Sequence, residues 1–117
     1  MTYRSTNSYL SQLTGVSSSF NTSSINTANA FAGAVTCVYD TVGSLTGTIA
    51  LQVGVSVTTK SDDDPVGWKD LATATIDSTG VVHFDLGTNI GANRLRIAVT
   101  VTGGNASTFD IAYNLKG

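Results

Sequence analysis

The sequence is poor in charge. Charged residues make up 12% of the 117-residue chain, against about 25% in an ordinary soluble domain. Six basic residues and eight acidic ones, all of them aspartate, leave a formal net charge of −2. Because no basic cluster is present to neutralise phosphates, we expect no nucleic-acid partner. Serine and threonine, 31 residues together, take the place of charges, and such a neutral surface suits contact with other protein.

Cysteine and histidine each occur once, which leaves little material for catalysis. Cys37 can form no intramolecular disulfide, and its alternating surroundings predict a small buried side chain. With His83 as the single histidine, a Ser-His-Asp triad would be an accident of folding, and we expect this side chain on the outer face of its strand. Asp77, Asp85 and Asp110 are candidates for a catalytic carboxylate pair, but each lies at a predicted turn or on an outer face, where a solvated carboxylate needs no catalytic role. We therefore expect a non-enzymatic protein with no cofactor and no metal.

Long apolar runs are also missing. No stretch approaches the roughly 18 consecutive apolar residues that a membrane span needs, so no membrane contact is expected. The first residues, 1–5, show no basic region leading into an apolar run, so we expect no secretory signal. The predicted place of synthesis is a cytoplasm.

What the chain does contain is alternation of apolar and polar residues with a period of two. The longest run places Ile49, Leu51, Val53 and Val55 on one side of a strand and small polar residues on the other. Chain length allows one domain with one core. We therefore predict an all-β fold, a single antiparallel β-sandwich of jelly-roll-like form. The predicted strands are 34–40, 47–59, 68–76, 80–86, 94–102 and 108–116.

The last two predicted strands read as a β-hairpin. Gly103, Gly104 and Asn105 between them supply turn chemistry. We expect Val101 to face Phe109, with the pairing continuing along both strands. In this register the outer face would carry a row of charges. Its members would be Arg94, Arg96, Asp110 and Lys116.

Residues 1–33 differ from the domain predicted at 34–117. Up to residue 39 the chain has one charged side chain, Arg4, and its apolar residues are too irregularly spaced for a helix face. We predict an irregular N-terminal arm. It becomes ordered against a neighbouring subunit, or it is an irregular first strand on its own sandwich or a frayed end. Candidate anchors for a partner are Tyr3, Tyr9, Leu10 and Leu13.

Two further features lie after the second predicted strand, one in the following loop and one at the start of the third strand. Asp62, Asp63 and Asp64 form an acidic cluster without the spacing of an EF-hand, so a solubilising loop tip is the better interpretation. Trp68 is either a stacking platform for a glycan or the plug at one end of the core. The plug is the favoured interpretation.

The second half of the chain combines several recognisable segments: the strand from Thr48 to Val53, the acidic loop, Trp68-Lys69-Asp70-Leu71, Arg94-Leu95-Arg96-Ile97 and the closing segment from Ala112 to Gly117. With these segments, about residues 45–117 resemble the small β-sandwich proteins that tailed bacteriophages carry as virion accessories.

The resemblance implies a structural role in a virion, as capsid decoration or another head or tail accessory. It implies partners of two kinds, further copies of the chain and other virion proteins such as the major capsid protein. A symmetric homo-oligomer is expected, with a trimer favoured by the symmetry of capsid sites. The expected location is the virion, after synthesis in the host bacterial cytoplasm. The alternative is a carbohydrate-binding module that grips a glycan with Trp68 and neighbouring polar loops.

Overall fold

The computed structural model describes residues 5–27, 32–55, 67–87 and 94–116. Within these ranges the chain forms strands and connecting turns, and no helix long and apolar enough to cross a membrane occurs. The strands are β1 Ser5–Val16, β2 Phe20–Asn21, β3 Ile25–Asn26, β4 Ala32–Tyr39, β5 Thr46–Gly54, β6 Lys69–Thr75, β7 Val81–Gly87, β8 Arg94–Gly103 and β9 Ala106–Lys116.

The strands form two antiparallel sheets packed face to face, which confirms the predicted β-sandwich. Sheet A has the order β1-β9-β4-β7, and sheet B has the order β2-β8-β5-β6 with β3 also paired to β8. The first strand thus pairs with the last, β2 and β3 with β8, β4 with β7, and β5 with β6. This nested pairing is that of one long hairpin rolled into two layers, the topology of a jelly roll.

The predicted terminal hairpin is wrong, because β8 and β9 lie in different sheets. β8 pairs with β5 and with the fragments β2 and β3, whereas β9 pairs with β1 and β4. Gly104 turns the chain from one layer to the other with φ +70°, where a Cβ would lie 2.2 Å from the Ser44 carbonyl oxygen. Alternation could not reveal this, since the apolar side of each strand faces the same core in a hairpin and in a corner between sheets.

Of the alternatives for the N-terminal arm, the structure matches the irregular first strand on its own sandwich, because residues 5–16 form the longest of the described strands. β1 runs antiparallel to β9 along its whole length, so the sandwich begins well before residue 34. The register shifts between Tyr9 and Ser11, which makes Leu10 a β-bulge, and Gly15 has φ +61°. These two irregularities change which face the side chains take, and they explain why the apolar spacing did not read as a strand.

The core lies between the sheets, and it is formed by the apolar side chains that the alternating pattern places on the inner side of each strand. Cys37 is fully buried, as expected, and desolvation raises the pKa of its thiol to about 12. Phe109 stacks on Tyr39 of the same sheet at 5.4 Å and meets Phe20 of sheet B edge-to-face at 5.5 Å. The fully buried aliphatic residues are Val35, Ile49, Leu51, Leu95, Ile97, Val99 and Ile111.

Candidate interaction surfaces

Trp68 lies immediately before β6 on the outer side of sheet B. Its side chain is half-buried and does not belong to the core cluster, so it is not the predicted plug. The guanidinium carbon of Arg96 lies over the indole, 4.5 Å from the ring centroid, within the range of a cation–π contact. Arg96 therefore occupies one face of the ring, and at most one face remains for a sugar.

A polar row continues from this tryptophan across three strands of sheet B. Gln52 of β5 stands opposite Asp70 of β6 on one side and Arg96 of β8 on the other. Arg96 Nε donates to Gln52 Oε1 at 2.7 Å, and Gln52 Nε2 donates to Asp70 Oδ1 at 2.9 Å. The row joins donors and acceptors of the kind that bind hydroxyl groups, beside an aromatic ring.

The predicted charge row of Arg94, Arg96, Asp110 and Lys116 does not exist. The two arginines belong to sheet B, whereas Asp110 and Lys116 belong to sheet A. Arg94 is moreover 1% exposed rather than on a wet face. The error follows directly from the hairpin prediction, which placed β8 beside β9.

The four predicted anchors do not form one surface. Tyr3 lies outside the described residues. Tyr9 is 57% exposed on the outer face of sheet A, opposite Ala112 of β9. Leu10 and Leu13 are partly buried and pack against the core of their own chain. Of the three anchors that the structure describes, Tyr9 is therefore the one that is open to a partner.

Sheet A also presents an apolar pair that sequence reasoning missed. Val38 of β4 and Val81 of β7 stand directly opposite each other on the outer face, and each is 48% exposed. The neighbouring pair on this face is Thr36 and His83, whose hydroxyl oxygen and Nδ1 lie 2.6 Å apart. Strand parity alone could have found the valines, because both alternate with buried residues. His83 is on the outer face, as predicted.

The three carboxylates considered as a pair from the sequence, Asp77, Asp85 and Asp110, are not brought together. On sheet A, Asp85 stands in register with Ala34 and Asp110 with Val38, so about 13 Å of strand separates the two rows. Asp77 lies in the turn after β6. Within the described ranges no group of three or more His, Cys or Asp side chains is placed to hold a metal ion. The acidic cluster at 62–64 lies outside these ranges.

Two clefts open on the described surface, and in one of them the carboxylates already accept hydrogen bonds from turn residues. A cleft of about 220 Å³ is lined by Tyr39, Asp40 and Asp77 among others. The Ser107 hydroxyl donates to Asp40, as does the backbone N–H of Val42, and both keep the pKa of that carboxyl below its usual value. The second cleft, of about 330 Å³, lies over Ala34 on sheet A, between polar side chains. Those side chains are His83, Asp85, Asn114 and Lys116.

Comparison with known proteins identifies the fold. No known family profile matches the sequence, and no curated protein matches it. Among solved structures, the crystal structure of SPBc2 prophage-derived protein YomS is similar over 100% of this chain and 96% of that chain. The TM-score is 0.60 and the sequence identity is 10%. At this identity the similarity shows a shared β-sandwich fold across the whole chain.

Proposed function

We propose that this chain is a non-enzymatic structural protein of a bacteriophage virion, in capsid decoration or another head or tail accessory role. The observation that supports the proposal most directly is the likeness to a prophage-derived protein over 100% of this chain and 96% of that chain. The whole described chain is engaged in one jelly roll. A protein of this design acts by adhesion, and the proposal assigns it no reaction.

The outer surfaces of the two sheets support the same proposal. The outward residues of β5 and its neighbours in sheet B are mainly threonine and alanine, among them Thr48, Ala50, Thr73, Ala98 and Thr100. On sheet A, Val38 and Val81 are half-exposed. Covering apolar side chains with protein is favourable, and covering hydroxyl groups costs much less free energy than covering charges. We propose that the Val38–Val81 side faces another virion protein, such as the major capsid protein, and that copies of the chain assemble symmetrically.

The decisive experiment looks for the chain in particles of the phage that encodes it. Gradient-purified virions are analysed by quantitative mass spectrometry, with wild type, Val38→Lys with Val81→Lys, and Val42→Lys compared. Val42 is 89% exposed in a turn and serves as the control. We expect wild type and V42K at equal, stoichiometric copy number and the double variant depleted. Absence of the wild-type chain from the particle would refute the proposal.

The Trp68 cluster favours a second function, binding of a glycan. The half-buried indole stands beside the row formed by Arg96, Gln52 and Asp70. An aromatic ring can stack on the apolar C–H face of a pyranose while adjacent polar groups form hydrogen bonds with its hydroxyls. Titration with bacterial surface polysaccharide, followed by tryptophan emission, tests this function. The glycan-binding function is supported if wild type binds saturably and Gln52→Ala binds more weakly. Unchanged emission, or binding indifferent to Gln52, contradicts it.

A further inference from the structure

The described strands leave four sheet edges, and three of these carry features that prevent strands from pairing with other chains. In sheet B, one edge consists of the two-residue fragments β2 and β3. The other edge, β6, begins with Lys69 and Asp70 and has a register shift beside them. In sheet A, β7 presents His83 and Asp85. Short strands, charges and bulges are the usual protections against edge-to-edge association.

The fourth edge, β1, lacks most of this protection. It is 12 residues long, contains no charged side chain and no proline, and pairs within the described chain with β9 alone. Its far side therefore presents backbone N–H and C=O groups over about 40 Å. The bulge at Leu10 divides the strand into two regular segments, residues 5–9 and 11–14. Such a long neutral edge is a template for another strand.

We propose that the free edge of β1 pairs antiparallel with β1 of a second copy of this chain around a twofold axis. The two four-stranded sheets A would then continue as one sheet across the axis. With the axis near Leu10 and Ser11, the segment 5–9 of one copy lies opposite the segment 11–14 of the other. The inference rests on the proposed function, because it names the contact through which copies assemble.

Composition is the reason for choosing a second copy as the partner. When a strand pairs with itself around a twofold axis, a residue at the axis faces its own copy, and residues equally far on either side of the axis face each other, so charges of one sign near the axis repel. β1 avoids this repulsion because its exposed side chains are neutral, as at Asn7, Gln12 and Thr14. Tyr9, 57% exposed beside the axis, supplies apolar surface that the second copy would cover.

The expected contact is weak in solution. A single pair of edge strands covers less surface than the roughly 1,200–2,000 Å² of stable complexes, so we expect a dissociation constant of about 1 µM or weaker. On a particle that also holds each copy by another surface, the effective concentration makes such a contact sufficient. The first species formed in solution would be a dimer rather than the trimer that capsid symmetry favours.

Sedimentation velocity of the full chain tests the proposal, from about 5 to about 500 µM to bracket the expected range. In this register Tyr9 of one copy lies opposite Gln12 of the other, and both side chains are exposed. Tyr9→Lys with Gln12→Lys therefore places like charges face to face across the axis, as does Tyr9→Glu with Gln12→Glu. Each double variant should weaken dimerisation roughly tenfold or more, and mixing the two should restore a heterodimer. Thr48→Lys with Thr100→Lys is the control, since these exposed residues pair on sheet B and should leave dimerisation unchanged.

Amide hydrogen exchange provides a readout that does not depend on a variant. Amides of β1 that point away from β9 should become protected only at the high end of the concentration range. A chain that stays monomeric throughout overturns the proposal. An oligomer that ignores both β1 double variants overturns it too, but leaves a homo-oligomeric virion protein intact. The chain could also be monomeric in solution while the charged β1 variants are missing from the virion. That result would assign the β1 edge to a different protein and would contradict pairing with a second copy.

Discussion

Phe109 is the residue whose replacement most clearly distinguishes the observed sandwich from a terminal hairpin. It is fully buried in β9 and contacts Tyr39 of sheet A and Phe20 of sheet B. Removing the ring leaves a cavity between the layers, so Phe109→Ala should lower the free energy of unfolding by about 3–5 kcal/mol. Since small domains are stable by roughly 5–15 kcal/mol, the smaller change Phe109→Leu is the variant for quantitative work.

A double-mutant cycle between Phe20 and Phe109 measures the contact that joins the two sheets. The edge-to-face geometry, with centroids 5.5 Å apart and planes at 89°, predicts a coupling energy of about 0.5–1.5 kcal/mol between Phe20→Leu and Phe109→Leu. Denaturant unfolding followed by circular dichroism gives each free energy by linear extrapolation.

The control cycle pairs Phe109→Leu with Val53→Ala. Val53 stands opposite Leu95 in β8, whereas Phe20 stands opposite Val99, and four residues of strand correspond to about 13 Å. The control mutations should therefore be additive within about 0.5 kcal/mol. A Phe20–Phe109 coupling no larger than that of the control would refute the sandwich contact.

Three further changes test local features. Cys37 should resist thiol reagents at pH 8 until the protein unfolds. Burial raises the pKa of its thiol from 9.0 to about 12, so the free energy of unfolding should fall as the pH rises from 9 to 12. This fall should be less steep in Cys37→Ala. Thr79 donates to Asp77 through its hydroxyl at 2.5 Å and its backbone N–H at 3.0 Å, and both bonds lower the pKa of that carboxyl. Thr79→Val removes the hydroxyl, so a carboxyl NMR titration should show a higher pKa for Asp77. Because the folded-state pKa then lies closer to the unfolded value, less stability should be lost as the pH falls. Gly15→Ala, at φ +61° with no neighbouring atom near the new Cβ, should lower the free energy of unfolding by about 1 kcal/mol. Gly104→Ala should lower it further because its Cβ would meet the Ser44 carbonyl oxygen. Equal losses in chemical denaturation would contradict the close approach of Gly104 to Ser44.

Local alternation predicted much of the fold correctly. The six predicted strands match β4 to β9 within two residues at the ends that the structure describes. β5 ends at Gly54, and residues 56–59 of the second predicted strand lie outside the described residues. The inward and outward assignments were right for Cys37 and His83. These successes share one cause, since the side-chain period of two acts within a single strand and needs no knowledge of its neighbours.

The candidate surfaces were predicted less well, because they depend on neighbours. Trp68 was expected to plug the core, yet it lies under Arg96, a residue 28 positions away whose strand reaches it only through β5. The Leu10 bulge turned two predicted anchors inward. No local pattern marks β1 as an edge among the described strands, because an edge is defined by which strands lie beside it and not by its own residues.

By itself, then, the sequence determined that the chain is an all-β sandwich, where its later strands run, and which side chains of those strands meet the core. Only the tertiary structure decided that β8 and β9 separate into two sheets, that β1 closes sheet A, and that pairing is nested from the two ends of the chain inward. The physical reason is that burial is encoded residue by residue, whereas strand partners are selected by the packing of the whole sandwich, and several pairings bury the same faces equally well.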